Sequence, residues 1–245
     1  MNTVTHKFKC VSKDGSVRGE EMACLKEHVL EIFVNDRKRY RVVCTNDALR
    51  ELVTGRLYVD GVTGADPKGY DLVFDEAGER VFVTVNGSST SPDNNTYFCD
   101  SINSPGPERA LKKLQPVAVE NGTVFALAER FREDSALHSA TGAAHRSMLC
   151  HRSITGEEIR SFEDISRHNT IDKAIGYALL NGFLMEECAL FTSGRVPVDM
   201  VVKVIAAGIP VLISKSVPTY DAVLLAKEYG LTLITRAWPD SFDMI

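Results

Sequence analysis

The sequence predicts an α/β protein whose last third is a parallel sheet flanked by helices. Three observations predict it. The segments ALFTSGR (189–195), IPVLISKS (209–216) and LTLITR (231–236) are short apolar runs with the length of buried strands. Between them, Val198, Val201, Val202 and Ile205, and then Ala222, Leu225, Ala226 and Tyr229, fall at i, i+3, i+4 and i+7, the period of a helix. Gly208 and Gly230 stand where each helix should stop. Short connections in a β-α-β-α-β order make the three strands parallel neighbours in one sheet.

Taken from the N-terminus, the chain is β-rich at first. Val29 to Val34 and Tyr40 to Val43 predict a hairpin around Asn35-Asp36. Asn46 is positioned to cap a helix from about Asp47 to Leu57, ending near Gly61. Tyr70 to Phe74 and Arg80 to Val85 predict a second hairpin, turning at Glu76-Ala77-Gly78. Residues 86–108, NGSSTSPDNNTYFCDSINSPGPE, are almost all turn formers and predict a long loop. Helical spacing resumes from about Pro107, with Leu111 and Leu114 and then Val124, Leu127, Ala128 and Phe131. T-G-A-A-H (141–145) reads as a turn. In 163–176, EDISRHNTIDKAIG, Asn169 or Thr170 is a plausible N-cap for a helix burying Ile171, Ala174, Ile175 and Ala178. This divides the chain into a β-rich part over 1–106, ending in the loop, and an α/β part over 107–245.

Composition narrows the function. The net charge is −5, with 44% hydrophobic and 25% charged residues, which suits a globular protein and gives no support for general nucleic-acid binding. No apolar leader and no run long enough to span a bilayer is visible, so a cytoplasmic protein is expected. The six cysteines have no paired spacing, which predicts reduced thiols. Zinc deaminase chemistry needs H-x-E and P-C-x-x-C, and neither occurs.

In a parallel sheet, ligands bind beyond the carboxyl ends of the strands. Ser193, Gly194, Arg195, Ser214, Lys215, Ser216, Thr235 and Arg236 are predicted there, and hydroxyls with cations near helix N-termini suit an anion such as phosphate. Arg167, His168 and Asn169 lie at the entry of the helix capped by Asn169 or Thr170, and with Lys173 they extend the candidate site. Among the cysteines, Cys99 lies in the loop, where a thiolate would be accessible. Cys24, Cys44 and Cys188 lie in apolar runs and read as core thiols. Cys150, followed by His151 and Arg152, which would lower its pKa, is the second choice as a reactive cysteine.

These segments together resemble the formate dehydrogenase accessory sulfurtransferases, the FdhD family. The matching pieces are TGAAH (141–145), EDISRHNTIDKAIG (163–176), SGR (193–195) with Met200 and Lys203, GIPVLISKSVPT (208–219) and GLTLI (230–234); TNDALRELVTGRLYVDGV (45–62) looks like a diverged early helix. The resemblance implies a cytidine-deaminase-like three-layer α/β core with a mixed sheet, a smaller β-rich N-terminal part, and a homodimer. It also implies sulfur received from a cysteine desulfurase as a persulfide on Cys99. That sulfur passes to the bis-guanine-dinucleotide molybdenum cofactor, which then enters formate dehydrogenase. The strand-end residues would hold the guanine-nucleotide end of that cofactor, together with Arg236, Ala237, Trp238, Pro239, Asp240 and Ser241. Trp238 either stacks on a base or covers the sheet edge. Where the family loop carries C-G-x-C-G, this chain has Cys99-Asp100-Ser101-Ile102-Asn103, a single thiol beside an acid that raises its pKa. A binding module that keeps the cofactor pocket without sulfur transfer is the alternative.

Overall fold

A computed structural model describes residues 2–85, 97–98, 110–133, 135–151 and 158–245. The chain forms three sheets and six α-helices in these residues.

The predicted hairpins form as expected. Strand β3 (His28–Val34) pairs antiparallel with β4 (Arg37–Cys44), with Asn35 and Asp36 both at positive φ in the turn. That conformation is tolerated best by glycine, Asn and Asp, and such a turn matches strand twist. Strands β5 (Tyr70–Phe74) and β6 (Arg80–Val85) also pair antiparallel, and β7 (Tyr97–Phe98) adds to β4. The sheet order is β5-β6-β3-β4-β7. Helix α1 (Leu49–Val59) covers one face, burying Leu52, Val53 and Leu57 against Leu30, Ile32, Val42, Val81 and Val83.

Preceding these, β1 (Thr3–Val11) and β2 (Val17–Leu25) form an isolated, largely exposed hairpin. Strands at this position were not expected from the polar N-terminus.

The second layered unit is the predicted one. Strands β10 (Cys188–Thr192), β11 (Val211–Ser214) and β12 (Thr232–Thr235) pair parallel. They are joined by α5 (Val198–Ala207) and α6 (Tyr220–Tyr229), which end on Gly208 and Gly230 in the left-handed conformation. Three antiparallel strands complete a mixed sheet: β8 (His145–His151), β9 (Glu158–Asp164) and β13 (Asp243–Met244), in the order β13-β12-β11-β10-β8-β9. Alternate side chains go to opposite faces of a strand. Leu149, Leu190, Leu212 and Leu233 therefore pack against α4 (Arg167–Leu180), α5 and α6. Met148, Phe191, Ile213 and Ile234 pack on the other side with Val124, Leu127 and Phe131 of α2 (Asn121–Glu133). The architecture is helix layer, mixed sheet, helix layer.

Four local expectations are corrected. Asn46 does not cap α1; the helix starts at Leu49 behind Ala48, which adopts a left-handed conformation and makes no side-chain cap bond. Asn46 instead takes a side-chain oxygen of Asn2 on its backbone N–H, and Asp47 faces Lys173. Leu111 and Leu114 are not helical: residues 110–120 run as irregular chain along the unit, with Leu114 N–H donating to the Tyr229 carbonyl at 2.8 Å. The N-cap of α4 is Ser166, three or four residues before the expected Asn169 or Thr170, so Arg167, His168 and Asn169 lie in the first turn. Cys24 is half-buried rather than a core thiol, whereas Cys44 and Cys188 are in the core.

The predicted loop 86–108, apart from Tyr97–Phe98, lies outside the described residues, as does the division at 106/107. Among the described residues, no helix is long and apolar enough to cross a membrane.

Candidate functional site

The carboxyl end of β10 meets the N-terminus of α4, and the ends of β11 and β12 lie beside it along the sheet. The hydroxyls predicted to face a ligand are largely used to hold the strand ends together. Ser193 Oγ accepts the Arg146 N–H at 3.0 Å, and the Ser193 N–H donates to the Arg146 carbonyl. Ser214 Oγ donates to the Gly194 carbonyl at 2.8 Å and accepts the Ser216 N–H at 3.0 Å. The Ser216 carbonyl accepts the Arg236 N–H, and the Ser214 carbonyl accepts the Ala237 N–H. Thr192, at the end of β10, accepts the Gly194 N–H on its hydroxyl at 3.2 Å. A polar group buried without a partner costs about 1–3 kcal/mol, so these turns satisfy themselves first.

The cations are the groups left to meet a ligand. Gly194 passes beneath Arg167: a Cβ on Gly194 would lie 2.8 Å and 2.9 Å from the Arg167 Cδ and Cβ. The glycine is needed for close approach, not for a special backbone conformation. Arg167 Nε is buried and has no hydrogen-bond partner among the described residues. Arg195 is exposed just beyond β10. Lys215 Nζ sits 4.6 Å from the centre of the Trp238 ring, a cation–π contact. Trp238 is 42% exposed. The Trp238 backbone N–H donates to the Ser241 carbonyl at 2.8 Å, closing the turn that contains Pro239 and Asp240.

Three predicted site residues are engaged elsewhere. Arg236 takes a left-handed backbone conformation and donates from Nε and Nη2 to the two carboxylate oxygens of Asp243 of β13. Asn169 and Lys173 are buried beside Asp164, which is itself fully buried. Asp164 receives Lys173 Nζ at 2.7 Å, Asn169 Nδ2 at 2.8 Å and the Thr45 N–H at 3.2 Å. The Asn169 amide also donates to the Val43 carbonyl. A buried carboxylate needs such a complete set of donors, so this cluster ties α4 to β4.

His168 is also buried, with Nε2 3.4 Å from the Asp199 carboxylate but without hydrogen-bond geometry. Burial, followed by the charges of Lys203, Arg167 and Arg56, pushes its pKa down to about 2, so it is neutral at physiological pH. Cys150 is 1% exposed, and burial raises its thiol to about 12, which corrects the expectation of a reactive cysteine there. Cys99 lies outside the described residues.

The site contains one group that the sequence reading left in a turn. His145 opens β8, and its Nδ1 is 3.5 Å from Ser193 Oγ. Burial, then Arg167, His138 and Arg195, hold its pKa below the ordinary histidine value, with Asp164 opposing. The histidine of T-G-A-A-H was visible, but the insertion of β8 antiparallel beside β10 was not. An arrangement of two guanidiniums, a lysine on an indole and a neutral imidazole can bind a phosphate group next to a planar base.

Comparison with known proteins agrees with this architecture. The chain is 29% identical to the sulfur carrier protein FdhD of Listeria monocytogenes serovar 1/2a, over 96% of this chain and 93% of that protein. It is 28% identical to the protein of that name from Bacillus subtilis strain 168, over 95% of this chain and 91% of that one. A crystal structure of a candidate formate dehydrogenase accessory protein from Desulfotalea psychrophila matches with a TM-score of 0.80. That match has 21% identity and covers 100% of this chain and 97% of that chain. The model of the FdhD/NarQ family matches residues 25–244, and the chain belongs to that family.

Proposed function

We propose that this chain is a sulfur carrier for formate dehydrogenase maturation, with Cys99 as the carrier and the strand ends of β10–β12 as the site for its cofactor client. The cationic grouping of Arg167, Arg195 and Lys215, with Trp238 beside it, is the observation that carries the binding half. It suits the pyrophosphate and guanine of a guanine-dinucleotide molybdenum cofactor. The relatives' shared description as sulfur carriers supports the transfer half.

The transfer step is exchange at sulfur. The Cys99 thiolate attacks the outer sulfur of a persulfide on a cysteine desulfurase; the S–S bond breaks and the desulfurase thiolate leaves. Cys99 then carries the sulfane sulfur. Ile102 stands where the family has a second loop cysteine, so no resolving thiol follows.

That substitution favours a second reading, a guanine-nucleotide binding chaperone without sulfur transfer. One experiment separates the two. Wild type and Cys99→Ser are incubated with a cysteine desulfurase and cysteine, and intact mass is measured alongside a guanine-nucleotide titration. A gain of one sulfur in wild type only, with equal nucleotide affinity in both proteins, is the expected result. Nucleotide binding without any sulfur gain leaves the chaperone; sulfur gain with no nucleotide binding removes the pocket.

A further inference from the structure

His145 opens β8, paired with Asp164 of β9, and its Nδ1 lies 3.5 Å from Ser193 Oγ, in the turn whose next residues are Gly194, against the stem of Arg167, and Arg195. Charged or titratable groups from several elements act on it. They are Arg167 and His168 on α4, His138 in the short helix α3 (Ala136–Thr141), Arg195 beyond β10, and Asp164, its cross-strand neighbour on β9. Asp164 is committed to Lys173 and Asn169, and His138 Nδ1 lies 2.7 Å from the Ala144 carbonyl. Arg167 and Arg195 have no carboxylate partner among the described residues. Their positive charge acts on the imidazole and, outweighing the opposite effect of Asp164, opposes its protonation.

An anion between the two guanidiniums reverses that balance. It neutralises the charge that opposes protonation, and its oxygens can accept from an imidazolium N–H. We propose that a phosphate diester seated between Arg167 and Arg195 draws a proton onto His145, so that ligand binding at the end of β10 is coupled to proton uptake. The proton comes from solvent or buffer, and the only bond formed is the imidazolium N–H. His145 is then a ligand-contacting residue of the site, neutral when free and cationic when occupied. This rests on the reading of the strand ends as a pyrophosphate site.

The test uses diguanosine pyrophosphate, a diester whose phosphates do not titrate near neutrality. Binding to the full chain is measured by calorimetry in buffers of different ionisation enthalpy, between about pH 6 and pH 8. Wild type should take up a substantial fraction of a proton on binding, with affinity falling as pH rises, by up to about tenfold per unit. His145→Gln should bind more weakly, without proton uptake and with a flat pH profile. Uptake that persists in His145→Gln would overturn the assignment. Binding by wild type without uptake would leave the anion site standing and remove the coupling. Absence of binding would remove both. Should the variant not fold, the imidazole titration of wild type followed by NMR decides, because its midpoint must rise when the ligand is added.

Discussion

Gly55 of α1 and Gly176 of α4 face each other with no space for a side chain between them. A Cβ on Gly55 would lie 2.0 Å from the Asp172 carbonyl oxygen, and one on Gly176 would lie 1.9 Å from the Glu51 carbonyl oxygen. The two helices thus touch backbone to backbone. Residues 52–59 of α1 are all buried, which leaves no direction in which the helix could retreat. Gly176→Ala should therefore cost roughly 3 kcal/mol, at the upper end of overpacking effects. Urea unfolding of the variant and of wild type measures it, and equal midpoints would contradict the packing.

Lys173 and Asp164 form a fully buried pair. Lys173→Met leaves that carboxylate without its cation, so a loss of about 3–5 kcal/mol is expected. Changing both residues together, Lys173→Met with Asp164→Asn, should cost less than the two single changes combined. A stability cycle by chemical denaturation reads the difference. If Lys173 served the ligand alone, the single variant would unfold like wild type.

His168 makes stability depend on pH. Its folded pKa, near 2, lies below the value of about 6.5 for an exposed histidine. Between those values the unfolded chain binds more protons than the native one. The contribution is fully present above about pH 6.5 and is lost as the pH falls, at up to about 1.4 kcal/mol per unit. From pH 7 to pH 5, wild type should lose about 2 kcal/mol more than His168→Gln. Parallel curves for the two proteins would show that the histidine is not held neutral.

Trp238 is the sole tryptophan, so its fluorescence reports the strand-end site directly. A guanine nucleotide that stacks there should quench it and displace part of the Lys215 contact. Arg195→Ala should raise the Kd about tenfold or more, because a charge-assisted hydrogen bond contributes about 1.5–3 kcal/mol. Cys99→Ser should leave the titration unchanged. An unaltered Kd in Arg195→Ala would take that residue out of the site.

Elements with a clean period were legible. The hairpin of β5 and β6 was legible because it buries alternate residues, and the strands from β10 to β12 because they are short apolar runs buried on both faces between helices of clear period. The hairpin of β1 and β2 was not, since most of its residues are exposed on both faces and no buried stripe marks it. The start of α4 was placed three or four residues late because Asp164, whose carboxylate accepts the Ser166 N–H and the Asn169 amide, organises that turn. The same residue explains the site. Asn169 and Lys173 looked like ligands for an anion, but β9 brings an internal one to them. Sequence periodicity carries no information about which distant carboxylate a lysine will meet.

The close passage of Gly194 under Arg167 has a consequence for recognition. A free arginine samples many rotamers, and binding an anion would ordinarily require one to be selected. Here the aliphatic stem of Arg167 already lies against the strand end, so its direction is fixed when the sheet folds. Holding a flexible side chain costs about 0.5–1.5 kcal/mol on binding, and that loss of freedom has already occurred before a ligand arrives. The absence of one methyl group on β10's last turn thus makes the guanidinium a rigid template rather than a mobile charge.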